Sequence, residues 1–321
     1  MPRTPRLRSR ETPMLTCDEY LVPTSLEDAL ANLANAPEGS RLQAGATDTL
    51  PWARQGRAGD IAGDIHVPTI IDISGINELC EYSFPVPDRI RLGGNIVFQQ
   101  FLEDPVLQEH LPHMPSCAHW FADDQIRRQA TIAGNIVNAS PAADGVPPFV
   151  ALDAEVELAS LKDGKIVTRF VPLVSFIEGP GRTQKKSDEI LSAVICDSAE
   201  GYGGSFEKVG HRRSLVISVA CSACCVKASE EGGVFEDVRL ALGGVGPAPM
   251  RLDDVEDFLR GKRISPEIIA EAAAMPVDRV ASRTRREYRR DVVIGFTERA
   301  IVDALADIGI MLSEKLELAH G

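Results

Sequence analysis

The stretch QAGATDTL, residues 43–50, places small and polar side chains directly after a predicted strand over residues 41–44. Small side chains let the backbone turn sharply and leave its N–H groups open to close approach by another molecule. Beyond the stretch, a short helix is predicted over residues 50–57. A loop of this composition at the end of a strand is typical of a site where the backbone holds an anion.

A second run of small residues, TIAGN at residues 131–135, lies within an irregular segment over residues 126–148. Such long irregular segments in globular chains are frequently functional. Both loops are expected to offer backbone N–H groups together with hydroxyl and amide side chains, a donor set suited to a diphosphate. Neither contains G-x-G-x-x-G or G-x-x-x-x-G-K-[ST], so an ordinary Rossmann site and a P-loop are unsupported. On the residues alone, two tight turns without a ligand are the alternative.

Composition favours a globular protein of two or three domains. The 321 residues are 44% hydrophobic and 25% charged, and no apolar run reaches the roughly 18 residues that a membrane-spanning helix needs. The net charge of −13 disfavours broad nucleic-acid binding. Seven irregularly spaced cysteines argue against a secreted disulfide framework, so a cytoplasmic location is expected.

The hydrophobic pattern predicts two domains, over residues 15–190 and 191–321, preceded by a disordered basic extension at residues 1–14. The opening third of the chain is predicted to be an α/β unit, with a capping box at residues 24–27, and an Asp-Gly hairpin turn is predicted later in the first domain, at residues 163–164. The second is predicted to be an antiparallel sheet covered by helices. Its predicted strands and helices lie at residues 216–227 and 234–242, and near 252–260, 265–275 and 284–308.

Two groups of potential metal ligands are interpreted as structural. Cys221, Cys224 and Cys225 lie in a predicted strand, which places Cys221 and Cys225 on one face and Cys224 on the other. Burial as small apolar side chains is therefore expected. The three histidines between residues 110 and 119 lack a metal-binding spacing and are expected to be surface or hydrogen-bonded core residues. No metal site is predicted in this chain.

Nine short motifs occur in a fixed order along the chain. They are AGATD (44–48), IDI (71–73), QIR (125–127), TIAGN (131–135), SPAAD (140–144), LDA (152–154), GPG (179–181), DEIL (188–191) and YRR (288–290). Together they resemble the FAD-binding medium subunit of the molybdenum hydroxylases, a family that includes xanthine, nicotinate and carbon monoxide dehydrogenases. The resemblance covers about residues 15 to 305, nearly the whole chain.

The resemblance implies an α+β fold, with a two-part FAD-binding domain of the vanillyl-alcohol-oxidase (PCMH) type and a C-terminal α/β domain with an antiparallel sheet and helices. It also implies FAD contacts in both loops and at a few later positions. In this sequence they are Gln43, Ala44, Gly45, Ala46, Thr47, Asp48, Thr49 and Leu50 in the first loop; Thr131, Ile132, Ala133, Gly134 and Asn135 in the second; Asp144 near the nucleotide sugar; Ala122 beside the cofactor; and Ile190 and Lys208 near the adenine or flavin ring.

The sequence departs from the family pattern at three places. Ala46 and Ala133 each replace the second glycine of the usual Gly-Gly pair. Alanine adopts positive φ poorly, so either these positions are not left-handed or the loops are shifted. The acid usually found shortly after Lys208 is absent, and residues 212–216 read RRSLV instead. This leaves the electron acceptor open.

The resemblance implies an electron-transfer function with partner subunits. A large subunit would oxidise the substrate, expected to be a purine or N-heteroaromatic compound, at a molybdenum cofactor, and a small subunit would relay electrons through [2Fe–2S] clusters. This chain would hold FAD and pass electrons to NAD⁺, a quinone or oxygen, with no residue acting as acid or base on the substrate. A dimer of heterotrimers is a possible assembly. The alternatives are a stand-alone flavin oxidase, against which the missing covalent-flavin histidine counts, and a non-catalytic nucleotide-binding scaffold.

Overall fold

The computed structural model describes residues 15–54, 57–58, 61–62, 65–210, 217–229, 231–281 and 285–312. The predicted basic extension and residues 212–216 lie outside these ranges. The strands of the first part are β1 (Leu15–Leu21), β2 (Arg41–Gln43), β3 (Arg57–Ala58), β4 (Ile61–Ala62), β5 (Ile65–Asp72), β6 (Tyr82–Val86), β7 (Arg89–Gly93), β8 (Glu155–Lys162), β9 (Lys165–Pro172), β10 (Ile177–Gly179), β11 (Arg182–Thr183) and β12 (Ile190–Asp197). Its helices are α1 (Leu26–Asn35), α2 (Thr49–Arg54), α3 (Gln100–Glu103), α4 (Pro105–His110), α5 (Met114–Trp120), α6 (Asp124–Arg127), α7 (Ile132–Val137), α8 (Val146–Ala151) and α9 (Leu173–Phe176), with a 3₁₀ turn at Asn77–Leu79.

A small parallel sheet carries the first loop. Its strand order is β1-β5-β2, and helix α1 packs between it and the neighbouring sheet because Leu26, Ala29 and Leu30 form one buried stripe. The helix predicted over residues 25–35 is confirmed, but its N-cap is Ser25 rather than Thr24. Strand β2 ends at Gln43, so the first loop leaves the sheet at the carboxyl end of a parallel strand, as expected.

A five-stranded antiparallel sheet forms the second half of this part, with the order β6-β7-β12-β8-β9. The predicted hairpin between β8 and β9 is confirmed. Its turn residues Asp163 and Gly164 have φ of 49° and 71°, the left-handed pair that a two-residue hairpin loop requires. Strand β12 hydrogen-bonds to both β7 and β8, so the chain leaves this sheet only after Asp197, a few residues beyond the predicted boundary at 190.

The segment over residues 126–148 is more regular than its sequence indicates. It contains helix α7 and the start of helix α8, each six residues long, so the prediction of an irregular segment is wrong at these residues. Both helices are too short to show an apolar period, and α8 begins with two prolines in its first turn. Their buried residues belong to the largest apolar core, which packs on the five-stranded sheet.

The second part is an antiparallel sheet covered by helices, as expected. Its strands are β13 (Gly203–Val209), β14 (Ala220–Ala228), β15 (Phe235–Gly243) and β16 (Met250–Arg251), and its helices are α10 (Asp253–Leu259), α11 (Pro266–Ala274) and α12 (Arg286–Asp307), with a 3₁₀ turn at Met275–Arg279. The three helices and strands β14 and β15 were predicted, whereas the glycine-rich strand β13 was not. No helix among the described residues combines the length and apolarity needed to cross a bilayer.

The cysteines of strand β14 pack as the alternation predicts. Cys221 and Cys225 face the core of the first part, and Cys224 faces the core under the helices of the second part. All three are buried, and burial raises their thiol pKa. Strand β14 therefore joins the two cores, with one face in each.

Candidate functional site

The two small-residue loops line one cleft of about 610 Å³. Most of the residues singled out in the sequence lie along it. They are Gln43, Ala44, Gly45, Ala46, Thr47, Asp48, Thr49, Ala122, Thr131, Gly134, Asn135 and Asp144. Two stretches nearly ninety residues apart in the chain are thus brought to a single cleft.

The first loop presents its backbone. Ala46 is left-handed, with φ of 56°, which turns the chain sharply between β2 and α2. Among the described residues, no hydrogen bond is found from the backbone N–H groups of residues 45–48. Gly45 is required for a different reason from the one expected. A Cβ there would lie 1.8 Å from the carbonyl oxygen of Gln129, so the missing side chain lets the first loop pack against the backbone just before the second loop.

The second loop is the capped start of helix α7. Thr131 is the N-cap, and its hydroxyl accepts from the N–H of Gly134 at 3.0 Å. The N–H groups of Ile132 and Ala133 donate to carbonyl oxygens in the segment that follows strand β7, at residues 96 and 94. The N–H group of Asn135 donates to the carbonyl oxygen of Thr131. In the part of the chain that the structure describes, the first loop has free backbone N–H groups and the second loop has none at residues 132–135. Ala133 is helical rather than left-handed, so alanine fits there without strain.

A side-chain bridge joins the loops across the cleft. The amide of Asn138 donates to Oδ2 of Asp48 at 3.0 Å. Asp48 is exposed as a residue, but its carboxylate faces this bridge, and partial burial there raises its pKa. Asn138 was missed in the sequence because it lies three residues beyond the second motif, and only the folded chain places it opposite Asp48.

Asp144 lies in the wall of the cleft and is almost fully buried. Lys208 donates to Oδ2 of its carboxylate at 2.7 Å, and the hydroxyl of Ser218 donates to Oδ1. Burial raises the pKa of Asp144, while the Lys208 ammonium and both hydrogen bonds oppose that rise. Both donors come from the second part of the chain, so this corner of the cleft is built by both parts.

Five residues singled out in the sequence lie off the cleft lining. They are Leu50, Ile132, Ala133, Ile190 and Lys208. Leu50 is exposed on helix α2, Ile132 and Ala133 point into the core, and Ile190 packs beneath helix α1. Motif matching does not separate lining residues from core residues, because a contiguous run in a helix points in several directions.

Apolar lining residues were also missed in the sequence. Trp52 follows the first loop, Phe121 stacks on Phe98 with ring centroids 3.9 Å apart, and Ile217 reaches the cleft from the second part. Trp52 could have been found from its place just after the loop. No local signal in the sequence marks Ile217 as a lining residue. It is 78% exposed and reaches the cleft only because of the fold.

This arrangement fits a dinucleotide cofactor. The N–H groups of residues 45–48, which make no hydrogen bond within the described ranges, and the hydroxyl of Thr47 are neutral donors of the kind that hold a diphosphate. The aromatic and apolar walls suit a ring system, and the cleft lies within the size range of cofactor sites. Among the described residues, no group of three or more His, Cys, Asp or Glu side chains has an arrangement that could hold a metal ion.

Comparison with known proteins identifies the family. Residues 14–196 match the model of the FAD-binding domain in molybdopterin dehydrogenase, and residues 205–304 match that of the CO dehydrogenase flavoprotein C-terminal domain. The fold and the cleft thus define an FAD-binding protein of the molybdopterin dehydrogenase class. The chain belongs to the family of FAD-binding medium subunits of xanthine, nicotinate and carbon monoxide dehydrogenases, which are oxidoreductases.

Individual relatives extend over most of the chain. The xanthine dehydrogenase FAD-binding subunit of Escherichia coli O157:H7 is 31% identical over 292 residues, covering 89% of this chain and 95% of the relative. The nicotinate dehydrogenase FAD-subunit of Eubacterium barkeri is 30% identical over 246 residues, covering 74% and 80%. Among solved structures, a carbon monoxide dehydrogenase from Hydrogenophaga pseudoflava superposes with a TM-score of 0.78 at 26% identity, covering 90% of this chain and 97% of that chain.

Proposed function

We propose that this chain is the FAD-carrying electron-transfer subunit of a heteromeric molybdenum hydroxylase. In this assignment a small partner subunit delivers electrons from [2Fe–2S] clusters, and a large subunit oxidises the substrate at a molybdenum cofactor. The electrons leave to NAD⁺ or another acceptor. We place the complex in the cytoplasm as a dimer of heterotrimers, with residues 15–190 as the FAD-binding domain and residues 191–321 as the C-terminal domain.

The observation that carries this proposal is the first loop, whose backbone N–H groups at residues 45–48 line a cleft without acceptors of their own among the described residues. FAD supplies the two-electron and one-electron chemistry when bound. The chain's residues bind and orient it. The first loop holds the diphosphate, and Thr131 fixes the second loop beside it by capping helix α7. Trp52 and Phe121 keep water from the apolar part of the cleft.

A purine or N-heteroaromatic substrate is proposed for the large subunit. The support is the names of the relatives, because proteins about 30% identical over most of this chain are subunits of xanthine and nicotinate dehydrogenases. The substrate pocket lies in another chain in this assignment. No side chain of the cleft is therefore assigned to acid or base catalysis on the substrate.

Co-expression tests this proposal against its two alternatives. We expect the purified chain to contain one non-covalent FAD, which is released by denaturation and filtration. Alone it should oxidise no purine, and turnover should appear only with a molybdenum subunit and an iron–sulfur subunit. Substrate turnover by the chain alone would favour a stand-alone oxidase, and a colourless chain that binds no flavin would favour a scaffold.

A further inference from the structure

Asp144 is held by donors from the second part of the chain. Lys208, in strand β13, donates to one carboxylate oxygen at 2.7 Å, and Ser218, just before strand β14, donates to the other. Their separations from Asp144 along the chain are 64 and 74 residues. Asp144 lines the cleft, whereas Lys208 does not. The lysine therefore reaches the cleft through the carboxylate that it contacts.

The side chains of this network are shielded from solvent. The side chains of Lys208 and Asp144 are only 4% and 9% exposed, so each would be costly to bury without the other. Among the described residues, the other titratable groups facing Asp144 are the thiols of Cys117 in helix α5 and Cys221 in strand β14, and burial raises the pKa of both. Within the described part of the chain, Lys208 is the cation that opposes protonation of Asp144.

We propose that Lys208 and Ser218 are positioning residues that keep the Asp144 carboxylate charged and fixed in the wall of the cleft, so that the second part of the chain completes the FAD site. Asp144 then presents an oriented acceptor to a hydroxyl group of the bound cofactor. In this assignment Lys208 acts on the cofactor through Asp144. The inference rests on the proposed FAD site, but it assigns a role to a lysine and a serine that are not lining residues.

The test is the affinity of the full-length apo-chain for FAD, measured by quenching of flavin fluorescence from about pH 5.5 to about pH 9. For Lys208→Met we expect affinity to fall at least about tenfold at neutral pH, since the remaining buried carboxylate tends to protonate. The pH below which affinity declines should move up by about one unit or more relative to wild type. For Ser218→Ala we expect the same direction and a smaller loss, about threefold to tenfold.

Lys227→Met is the matched control. Lys227 lies in strand β14 and pairs with Glu236 at 2.9 Å, but this pair is about half exposed. Its loss should leave FAD affinity and the pH profile unchanged. The double variant Lys208→Met, Asp144→Asn removes both charges and should fold even where the single variant does not. Its affinity should be reduced, without the shifted pH dependence.

The outcomes separate the two proposals. Equal affinity and an equal pH profile in wild type, Ser218→Ala and any folded Lys208 variant would overturn the role of Lys208 and Ser218 alone. A loss of affinity in Lys208→Met with an unshifted pH profile would also overturn it, because lost packing does not change the titration of Asp144. Wild-type chain that binds no FAD would instead overturn the proposed function.

Discussion

In the first loop the backbone N–H groups of residues 45–48 make no hydrogen bond among the described residues, whereas in the second loop those of residues 132–135 are all hydrogen-bonded within the chain. Both loops have the same small-residue composition, and the sequence alone predicts the same use for both. In the structure the two loops have different roles. The first loop offers backbone donors, and the second supports it through the helix that Thr131 caps, which also carries Asn138 to its bond with Asp48.

The difference follows from one backbone position. Ala46 is left-handed, and a left-handed residue in a turn can direct successive backbone N–H groups into one concavity. Ala133 is helical, and its N–H donates to the carbonyl oxygen of Gly94 at 3.0 Å. A small side chain therefore serves a strained turn in one loop and close helix packing in the other.

The largest expected loss of FAD affinity is at the contact of Gly45 with Gln129, just before the second loop. In Gly45→Ala the new Cβ would lie 1.8 Å from the carbonyl oxygen of Gln129, so the two backbones must move apart. We expect FAD affinity to fall roughly 100-fold or more, since a displacement of this size breaks the geometry of several donors at once. Titration with FAD measures the loss.

Two other glycines sharpen this result. Gly75→Ala adds a Cβ into open space and should bind FAD like wild type. Gly134→Ala brings a Cβ to 2.9 Å from the hydroxyl oxygen of Thr131, which is a single side-chain atom, so its loss should be smaller than that of Gly45→Ala. Equal losses in Gly45→Ala and Gly134→Ala would break the distinction between the two loops.

A smaller effect is expected at the bridge between Asn138 and Asp48. Asn138→Asp places a second carboxylate at the position of an amide that lies 3.0 Å from Asp48. Two carboxylates this close repel, and we expect FAD affinity to fall about tenfold at alkaline pH. The repulsion raises the pKa of Asp48, which partial burial already raises. As the pH falls, one carboxylate takes up a proton and donates to the other, so affinity should recover.

Asn35→Asp is the control for this pH dependence. Asn35 ends helix α1, where its amide donates to a backbone carbonyl at an exposed position away from the cleft. Its replacement should leave FAD affinity unchanged at every pH. If the loss in Asn138→Asp is the same at acid and alkaline pH, the bridge does not act through the charge of Asp48.

The next effect separates stability from binding. Thr131→Val keeps the shape of the side chain but removes the N-cap of helix α7, which should lower the free energy of unfolding by about 1 kcal/mol. Thr47 in the first loop makes no hydrogen bond among the described residues, so Thr47→Val should leave stability within about 0.5 kcal/mol of wild type and reduce only FAD affinity. Urea unfolding of both apo-variants measures the difference. A clear loss of stability in Thr47→Val would contradict this prediction.

Local signals in the sequence predicted much of the fold. The stripe of helix α1, the Asp-Gly turn before β9 and the three helices of the second part are each determined by neighbouring residues. Strand β13 was missed because it begins with two glycines and has few apolar residues, and its stability comes from pairing with β14. Helix α7 was missed because six residues are too few to show a period.

The residues of the cleft also fall into those with a local signal in the sequence and those without one. The contiguous runs that line it, residues 43–49 and parts of 131–135, are visible in the sequence as small-residue loops. Asn138, Ser218 and Ile217 are not, because their roles come from contacts across 74 or more residues of chain or from a cleft formed by both parts. No composition or spacing rule indicates that Asp144 and Lys208 form an ion pair with each other.

The smallest effects should have opposite signs in the two loops. At Ala46, with φ of 56°, a left-handed alanine costs roughly 1–2 kcal/mol, and glycine avoids this cost at an entropic penalty of about 0.5–1 kcal/mol. Ala46→Gly should therefore raise the free energy of unfolding by about 0.5–1 kcal/mol. Ala133 is helical and buried, so Ala133→Gly should lower it by about 1 kcal/mol through lost helix propensity and a lost methyl contact. Urea unfolding of the two apo-variants decides the matter, since both changes delete the same methyl group. If the free energy of unfolding changes in the same direction in both variants, the left-handed turn of the first loop is not what distinguishes it from the second.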